Sequence, residues 1–437
     1  MRSVLLLFFA VAAIVLPAAA QPPLDALIDK ELPSLVSLYQ TIHEAPELSH
    51  REEKTSALVA RELRSLGFTV VEHLGKYPRP EWTGYGVAGV LRNGTGPTVL
   101  IRAELDALPV EEKTGLTYAS REPGVMHACG HDLHTAAMIG TARMLVALKS
   151  RWKGTVVLVG QPAEETLDGA RSLMEGGLYT QVPKPDYVLA LHDTNDLAVG
   201  QVGITPGSAL ASAAVVEVTL RGKGGHASAP QNAKDPVVLA AQFILAVQTI
   251  ISRESSPFAP SVITIGSIHG GAKANIIPEE VKLALSVRAL DDDGRDRLIR
   301  SIERTARGIA EAAGVPEDRL PVVQVSDTEV VPATYNDPTL AERLEKTFAA
   351  LLGPGNVVRT GPSLAADDFA NLERLDGRRV PSLLFSLGVA DPQKLAEAKA
   401  SGSALPSPHS PLFAPVAEPS LKVGVKAMTA AVLELLR

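Results

Sequence analysis

Apolar residues recur at three- and four-residue intervals through residues 24–43 (LDALIDKELPSLVSLYQTIH) and again through 52–68 (EEKTSALVARELRSLGF). This is the spacing of one buried helical face, and Gly67 stands where a helix-ending glycine is expected. Short β-rich runs alternate with these stretches: YGVAGVL, TVLIRA, GTVVLVG and DYVLALH. Several are apolar throughout, which predicts strands buried on both faces of a mostly parallel sheet. From about residue 207 the rhythm becomes strand AAVVEVTLRG, helix DPVVLAAQFILAVQTII, strands SVITIGSIHG and VKLALSVRAL, helix RDRLIRSIERTARGIAEAAG and strand LPVVQVSD. That β-α-β-β-α-β order predicts a ferredoxin-like unit. NDPTLAERLEKTFAALLG, VPSLLFSLGV and SLKVGVKAMTAAVLELLR then read as helix, strand and helix returning to the first domain. The expected organisation is an α/β domain in two parts, 21–206 and 328–437, with a smaller α+β domain inserted at 207–327.

The first twenty residues stand apart from this pattern. Arg2, the apolar run VLLLFFAVAAIVL and PAAA have the charge, hydrophobic stretch and small-residue end of a secretory signal, so residues 1–20 are expected to be a signal peptide. The run is shorter than the ~20 residues of a membrane-spanning helix, and no stable membrane anchor is expected. An exported protein, periplasmic or secreted, is the corresponding expectation. A single cysteine among 437 residues rules out an intramolecular disulfide. The net charge of −7 is spread along the chain and aromatic residues make up only 4%, which argues against nucleic acid as a partner and for a small molecule or peptide.

The lone cysteine lies in MHACGHDLHTA, with His127 two residues before it and His131 two after. Free cysteine is usually a small buried hydrophobe, but an unpaired thiol in an oxidising compartment is at risk unless it is inaccessible or ligated. Cys129 and His131 fall short of the ~four ligands that a site wants. Further donors stand at the ends of other expected strands: Glu164 and Glu165 after VVLVGQPA, His192 after YVLAL, and His409 in the proline-rich LPSPHSPLF. Active sites of open α/β sheets gather outside the carboxyl ends of the strands, so these residues can converge. Alone, each reads as an ordinary surface acid or histidine. Together, Cys129, His131, Glu165, His192 and His409 make five candidate metal ligands.

The ordered set RAELDALPVEEKTG, MHACGHDLHTA, QPAEE, GGHASAPQ, ANIIPEE and SPHSPLF resembles peptidase family M20, and within it subfamily D, which includes hippurate hydrolases, N-acyl-amino-acid amidohydrolases and indole-acetyl-amino-acid hydrolases. The resemblance implies a di-metal catalytic domain with an inserted lid through which members often dimerise, hence a homodimer. It assigns Cys129 as a thiolate bridging two divalent ions, with His131 and His192 on one and Glu165 and His409 on the other. Glu164 falls at the general-base position, and adjacency of the two glutamates lets one hold metal while the other moves a proton. Asp106 and Asp132 resemble carboxylates that orient metal-binding histidines. In the inserted domain His226 matches a histidine that polarises the scissile carbonyl, and Asn275 an asparagine that holds the substrate's carboxylate, with Arg288 a further candidate for that carboxylate. Asp368, in SLAADDFANL, belongs to an acidic pair with no assigned role. Thiolate and imidazole donors suit zinc, while the carboxylate leaves manganese, cobalt or nickel open.

Three segments depart from the subfamily pattern. Glu104 stands where aspartate is common, LHDTND replaces LHVxP, and APVAEPS replaces an acidic run after the last histidine. The function expected is amide hydrolysis of N-acyl amino acids or small peptides to release a free amino acid. A dipeptidase or carboxypeptidase is the alternative, and a non-catalytic metal- or amino-acid-binding protein is a third reading that Glu164 argues against.

Overall fold

The computed structural model describes residues 23–437; the expected signal peptide lies outside the described residues. The larger domain is built on an eight-stranded sheet. Its strands run, in spatial order, Thr69–Leu74, Gly86–Asn93, Gly154–Gln161, Thr98–Glu104, Tyr187–Ala198, Ser382–Ala390, Val202–Ile204 and Val357–Arg359. The central strands Gly154–Gln161, Thr98–Glu104, Tyr187–Ala198 and Ser382–Ala390 pair in parallel, and the first two strands join antiparallel at one edge.

The apolar runs follow from double-sided burial. Val99 and Ile101 pack into one core with the helices Leu24–Glu44, His131–Ala147 and Ala417–Leu435, while Leu100, between them, packs into a second core with Val157, Val188 and Phe369. Alternate side chains of one strand thus feed opposite faces, and a polar residue on either face would be stranded in a core.

The inserted domain has a four-stranded antiparallel sheet in the order Ser261–Gly270, Glu280–Ala289, Ser212–Arg221, Val322–Val331. Helices Pro236–Thr249 and Asp292–Ala312 lie over it, and Leu239, Phe243, Leu298 and Ile302 form its core with Val216, Leu283 and Leu285. The last strand runs on to Val331, because Val330 and Val331 still pair with Ala214 and Ala213, so the sheet outlasts the limit at 327 set by the apolar run. The ladder between Gly207–Leu210 and Thr334–Asn336 carries both chain crossings between the domains. Helix Pro236–Glu254 is long and apolar enough to cross a membrane by composition; Leu239, Ala240 and Phe243 bury one side of it while Val237, Val238 and Leu245 are exposed.

Candidate metal centre

Four chain segments meet at the carboxyl ends of the central strands. Cys129 and His131 flank Gly130, whose φ of +76° starts the helix His131–Ala147. A β-carbon at Gly130 would lie 2.3 Å from the Asp193 carboxylate, so both the left-handed backbone and the space require glycine. Glu164 and Glu165 follow Ala163, a non-glycine residue at φ +53°. That conformation costs energy and persists because it is pinned: the Ala163 amide donates to Glu52 Oε1 at 2.8 Å, and its carbonyl accepts from the Gly169 amide at 3.0 Å. His192 comes from strand Tyr187–Ala198. His409, also at positive φ, is tied to the cysteine turn by its amide, which donates to the Ala128 carbonyl at 2.7 Å.

The five candidate ligands converge. His192 Nε2 lies 3.6 Å from Cys129 Sγ, His131 Nε2 lies 3.9 Å from Glu165 Oε1, and His409 Nε2 lies 3.4 Å from Glu165 Oε2. Donor atoms of Cys129, Glu165 and His409 all fall within 4.8 Å of one another, as do those of His131, Glu164 and Glu165. The polar accounting points to cations. His131 Nε2 and Glu165 Oε1 are buried, face each other and have no hydrogen-bond partner. Buried polar atoms are otherwise almost always paired, so two orphaned donor atoms at this separation fit metal ions.

The protonation equilibria agree. Burial pushes the Cys129 thiol well up, burial lifts the Glu165 carboxyl to about 7, and burial with Asp367 and Glu165 nearby holds Glu164 well above the usual carboxylate range. Burial, with other histidines nearby, lowers His192 and His409, leaving neutral imidazoles suited to ligation, whereas for His131 Asp106 and Cys129 outweigh burial and hold the imidazole well above its usual range, so that it must give up a proton to bind metal. A dication offsets the cost of ionising the thiol and carboxyl, so metal binding releases protons.

Two orienting roles differ from expectation. The Asp106 carboxylate sits 3.5 Å from His131 Nδ1, whereas the Asp106 main-chain carbonyl accepts from that nitrogen at 2.8 Å. The carboxylate instead accepts from Ser49 Oγ and from the Glu165 amide, so Asp106 steadies both a histidine and a glutamate of the centre. Asp132 does not orient a ligand histidine; its carboxylate bonds His43 Nδ1 at 2.6 Å and caps the Leu133 amide, because the first turn of the helix aims it toward the helix Leu24–Glu44. Burial opposes the His43 charge, but Asp132 and Glu112 lift that imidazole to about 10. Asp368 is fully buried, and its donor atoms lie within 4.8 Å of those of Glu164 and Asp367. It accepts from Gln161 Nε2, Arg102 and the Ala170 amide, and burial and Asp367 raise it to about 8 against the pull of Arg102.

A cavity of about 690 Å³ opens over the centre, walled by Cys129, Glu164, Glu165, His192 and His409, with Thr194, Leu210, Ser363 and Arg288 farther out. Arg288 is therefore at the cavity, its guanidinium donating to the Leu364 carbonyl at 2.8 Å. His226 pairs with Ile276 on a small ladder of the inserted domain, and Asn275 sits in the turn just before it, where the Ala227 amide donates to the Asn275 carbonyl; both His226 and Asn275 are exposed and neither lines this cavity. Residues that the motif reading passed over are Glu52, His43, His134 and Asp193. His134 had a signal available, standing one helical turn after His131 in the same motif, and Asp193 lies in the LHDTND departure; Glu52 and His43 had none.

Residues 100–434 match the model of peptidase family M20/M25/M40. The chain is 35% identical over 396 residues to thermostable carboxypeptidase 2 of Saccharolobus solfataricus, covering 90% of this chain and 93% of that protein. It is 36% identical over 345 residues to N-acetyl-L-cysteine deacetylase of Bacillus subtilis, covering 78% of each. The crystal structure of the Bacillus subtilis YXEP protein, a dinuclear metal binding peptidase from the M20 family, matches with a TM-score of 0.75 at 28% identity, over 93% of this chain and 99% of that one.

Proposed function

The chain belongs to peptidase family M20/M25/M40 and is a hydrolase of its metallopeptidase and amidohydrolase kind, and we propose that it cleaves the amide of an N-acyl amino acid or small peptide to release a free amino acid. The observation that carries this reading is a pair of adjacent buried glutamates beside the candidate ligands, of which only Glu165 also reaches Cys129 and His409. Glu165 reaches His409 and the cysteine side of the centre, while Glu164, 6% exposed, stands 3.7 Å from His131 Nε2 at the cavity wall. A pure binding protein has no use for that second carboxylate.

Cys129, His131, Glu165, His192 and His409 would hold two divalent ions, zinc first among them given the thiolate and imidazole donors. Such ions supply an acidified water and a polarised carbonyl. Glu164 takes a proton from the attacking water and returns it to the leaving amine, a cycle suited to a carboxyl held above the usual range. Arg288 gives the cavity a cation for the substrate's carboxylate. His226 and Asn275 reach the reacting centre only when a domain movement or a second subunit brings them there. The names of the relatives favour both a deacylase and a carboxypeptidase reading, which share this chemistry and differ in the acyl side.

The same proposal includes a homodimer through the inserted domain. Leu245 is 74% exposed on helix Pro236–Thr249, Phe258 is 95% exposed, and Ile268 lies on the edge strand Ser261–Gly270. Exposed apolar side chains beside an unpaired strand edge fit a protein interface. Export to the periplasm or medium completes the proposal and rests on residues 1–20. The deciding assay is amine release from matched N-acyl amino acids with free and amidated carboxyl ends, on metal-loaded and chelator-treated protein. Metal-dependent release that favours the free carboxylate supports the proposal; equal rates on both would replace it with a general amidase.

A further inference from the structure

Glu52 stands where a polar side chain ordinarily caps a helix. It directly precedes the helix Glu53–Ser65, yet its carboxyl makes no hydrogen bond to that helix. The residue is 0% exposed and turns instead toward the end of strand Gly154–Gln161, where Oε1 accepts from the Ala163 amide at 2.8 Å and from the His50 amide at 3.0 Å. Oε2 has no hydrogen-bond partner, and burial, with Asp106 nearby, holds the carboxyl well above the usual carboxylate range. The buried acid thus serves two amides outside its own helix, and the Ala163 amide is the last main-chain donor before Glu164.

Two neighbours of Glu52 reach the same turn. Ser49 Oγ donates to Asp106 Oδ2 at 2.7 Å, the oxygen that accepts from the Glu165 amide at 3.0 Å. His50 Nε2 lies 3.1 Å from the Asp168 carboxylate, and Trp82 stacks flat on the His50 ring with centroids 3.8 Å apart. Residues 49–52 are therefore tied to the turn before, at and after the glutamate pair. The turn is strained: Ala163 and Leu167 both lie at positive φ without being glycine. Its own bonds, from the Gly169 amide to the Ala163 carbonyl and from the Leu167 amide to the Glu164 carbonyl, close the loop without fixing it to the rest of the domain. Beyond the turn, the Ala170 amide is held by Asp368. Ser49, His50 and Glu52 do not line the cavity over the centre, so an effect on the chemistry passes through the glutamates.

We infer that Glu52 and Ser49 are positioning residues, which set Glu164 and Glu165 at the centre by holding the turn that carries them. This rests on the reading of Glu165 as a metal ligand and Glu164 as the proton carrier given above.

The test compares Glu52→Met, Glu52→Gln and Ser49→Ala with wild type, each as the full chain loaded with zinc. Methionine keeps the length of the side chain and loses the acceptor, whereas glutamine keeps an oxygen for both amides. Metal retention is read by dialysis against a graded chelator series with elemental analysis, and kcat and KM by amine release, at a temperature where circular dichroism shows each variant folded. Glu52→Met is expected to lose zinc at about ten- to a hundredfold lower chelator, and when fully loaded to lose kcat by a similar factor with little change in KM. Glu52→Gln recovers most of both. Ser49→Ala, which leaves the bond between Asp106 and the Glu165 amide in place, shifts both in the same direction by less. A merely structural role would lower the melting temperature of Glu52→Met and leave the chelator midpoint and the loaded kcat of the folded protein at wild-type values, which would overturn the inference. So would a glutamine variant as impaired as the methionine one. Should Glu52→Met not fold, Ser49→Ala decides, and a wild-type midpoint and kcat in that variant would overturn the inference. Wild type that holds no zinc would overturn the metal reading beneath it, whereas wild type that holds zinc but releases no amine would overturn only the proposed substrate, and the chelator series then decides alone.

Discussion

Glu164→Gln separates proton transfer from metal binding more cleanly than any other single change here. The amide keeps the size and planarity of the carboxylate, so the strained turn at Ala163 and the placement of Glu165 are preserved. What it loses is the ability to take a proton. Glu164 and Glu165 both lie within reach of His131, but only Glu165 also reaches Cys129 and His409, so metal content should remain that of wild type. Removing a positioned proton carrier costs about 10² to 10⁴ in rate. At ~1.4 kcal/mol per decade this is about 3 to 5 kcal/mol of transition-state stabilisation, appearing in kcat with little change in KM. A second readout follows from burial. Because the folded pKa of Glu164 is raised, the proton it retains favours the fold at low pH, and that contribution disappears as pH rises through the folded value. Metal-free Glu164→Gln should therefore be more stable than metal-free wild type at pH 8, with the difference shrinking toward pH 4. The assays are steady-state amine release, elemental analysis and thermal melts at both pH values. Loss of metal would mean that the two glutamates exchange roles, and full activity would remove Glu164 from the mechanism.

Three further outcomes are expected. Cys129→Ser should bind metal far more weakly while its far-ultraviolet circular dichroism stays that of wild type; unchanged metal content would return the cysteine to the role of a buried apolar residue. His226→Ala, altered on the exposed ladder of the inserted domain, should keep its metal and lose mainly kcat, and a normal kcat at saturating substrate would place it outside the reacting centre. Burial raises Glu373 to about 7, so its proton stabilises the fold below pH ~4.5 and that stability fades as pH rises through 7, by about 3 kcal/mol. Glu373→Gln should flatten the urea-unfolding profile between pH 5 and 8 by that order, and an unchanged slope would mean the carboxyl is ionised throughout.

What could be read from the sequence was whatever has a local period or a local motif. The strands feeding the centre are continuous apolar runs because both faces are covered, and the inserted β-α-β-β-α-β unit has its own alternation. The ligand set was accessible because each member ends a strand or sits in a motif. The partners of those ligands were not, since nothing local says which side chains will meet. Asp132 and His43 are 89 residues apart and Arg102 and Asp367 are 265 apart, yet each pair is in hydrogen-bond contact. Asp106 shows the same limit on a smaller scale: an orienting role toward a metal-binding histidine was expected of its carboxylate, but beside His131 the backbone carbonyl makes the shorter bond.

The departures at Glu104 and Asp193 sharpen this point. As letters they mark two changes 89 positions apart; in the fold they occupy the two nitrogens of His134. Glutamate reaches one carbon farther than aspartate, so a change at 104 alters how far His134 is drawn from the centre, and a carboxylate at 193 supplies an acceptor on the other side of the same ring. The two changes act on one group: burial opposes the His134 charge, but Glu104 and Asp193 lift that imidazole to about 9, and it pairs with both carboxylates. The raised thiol of Cys129, the raised carboxyls of Glu164 and Glu165, and the orphaned nitrogen of His131 follow the same logic: each is unfavourable by itself, and each becomes favourable when positive charge occupies the space they share. The extensive apolar cores let the fold carry those costs before metal arrives, which is why loss of a ligand should empty the centre and leave the fold standing.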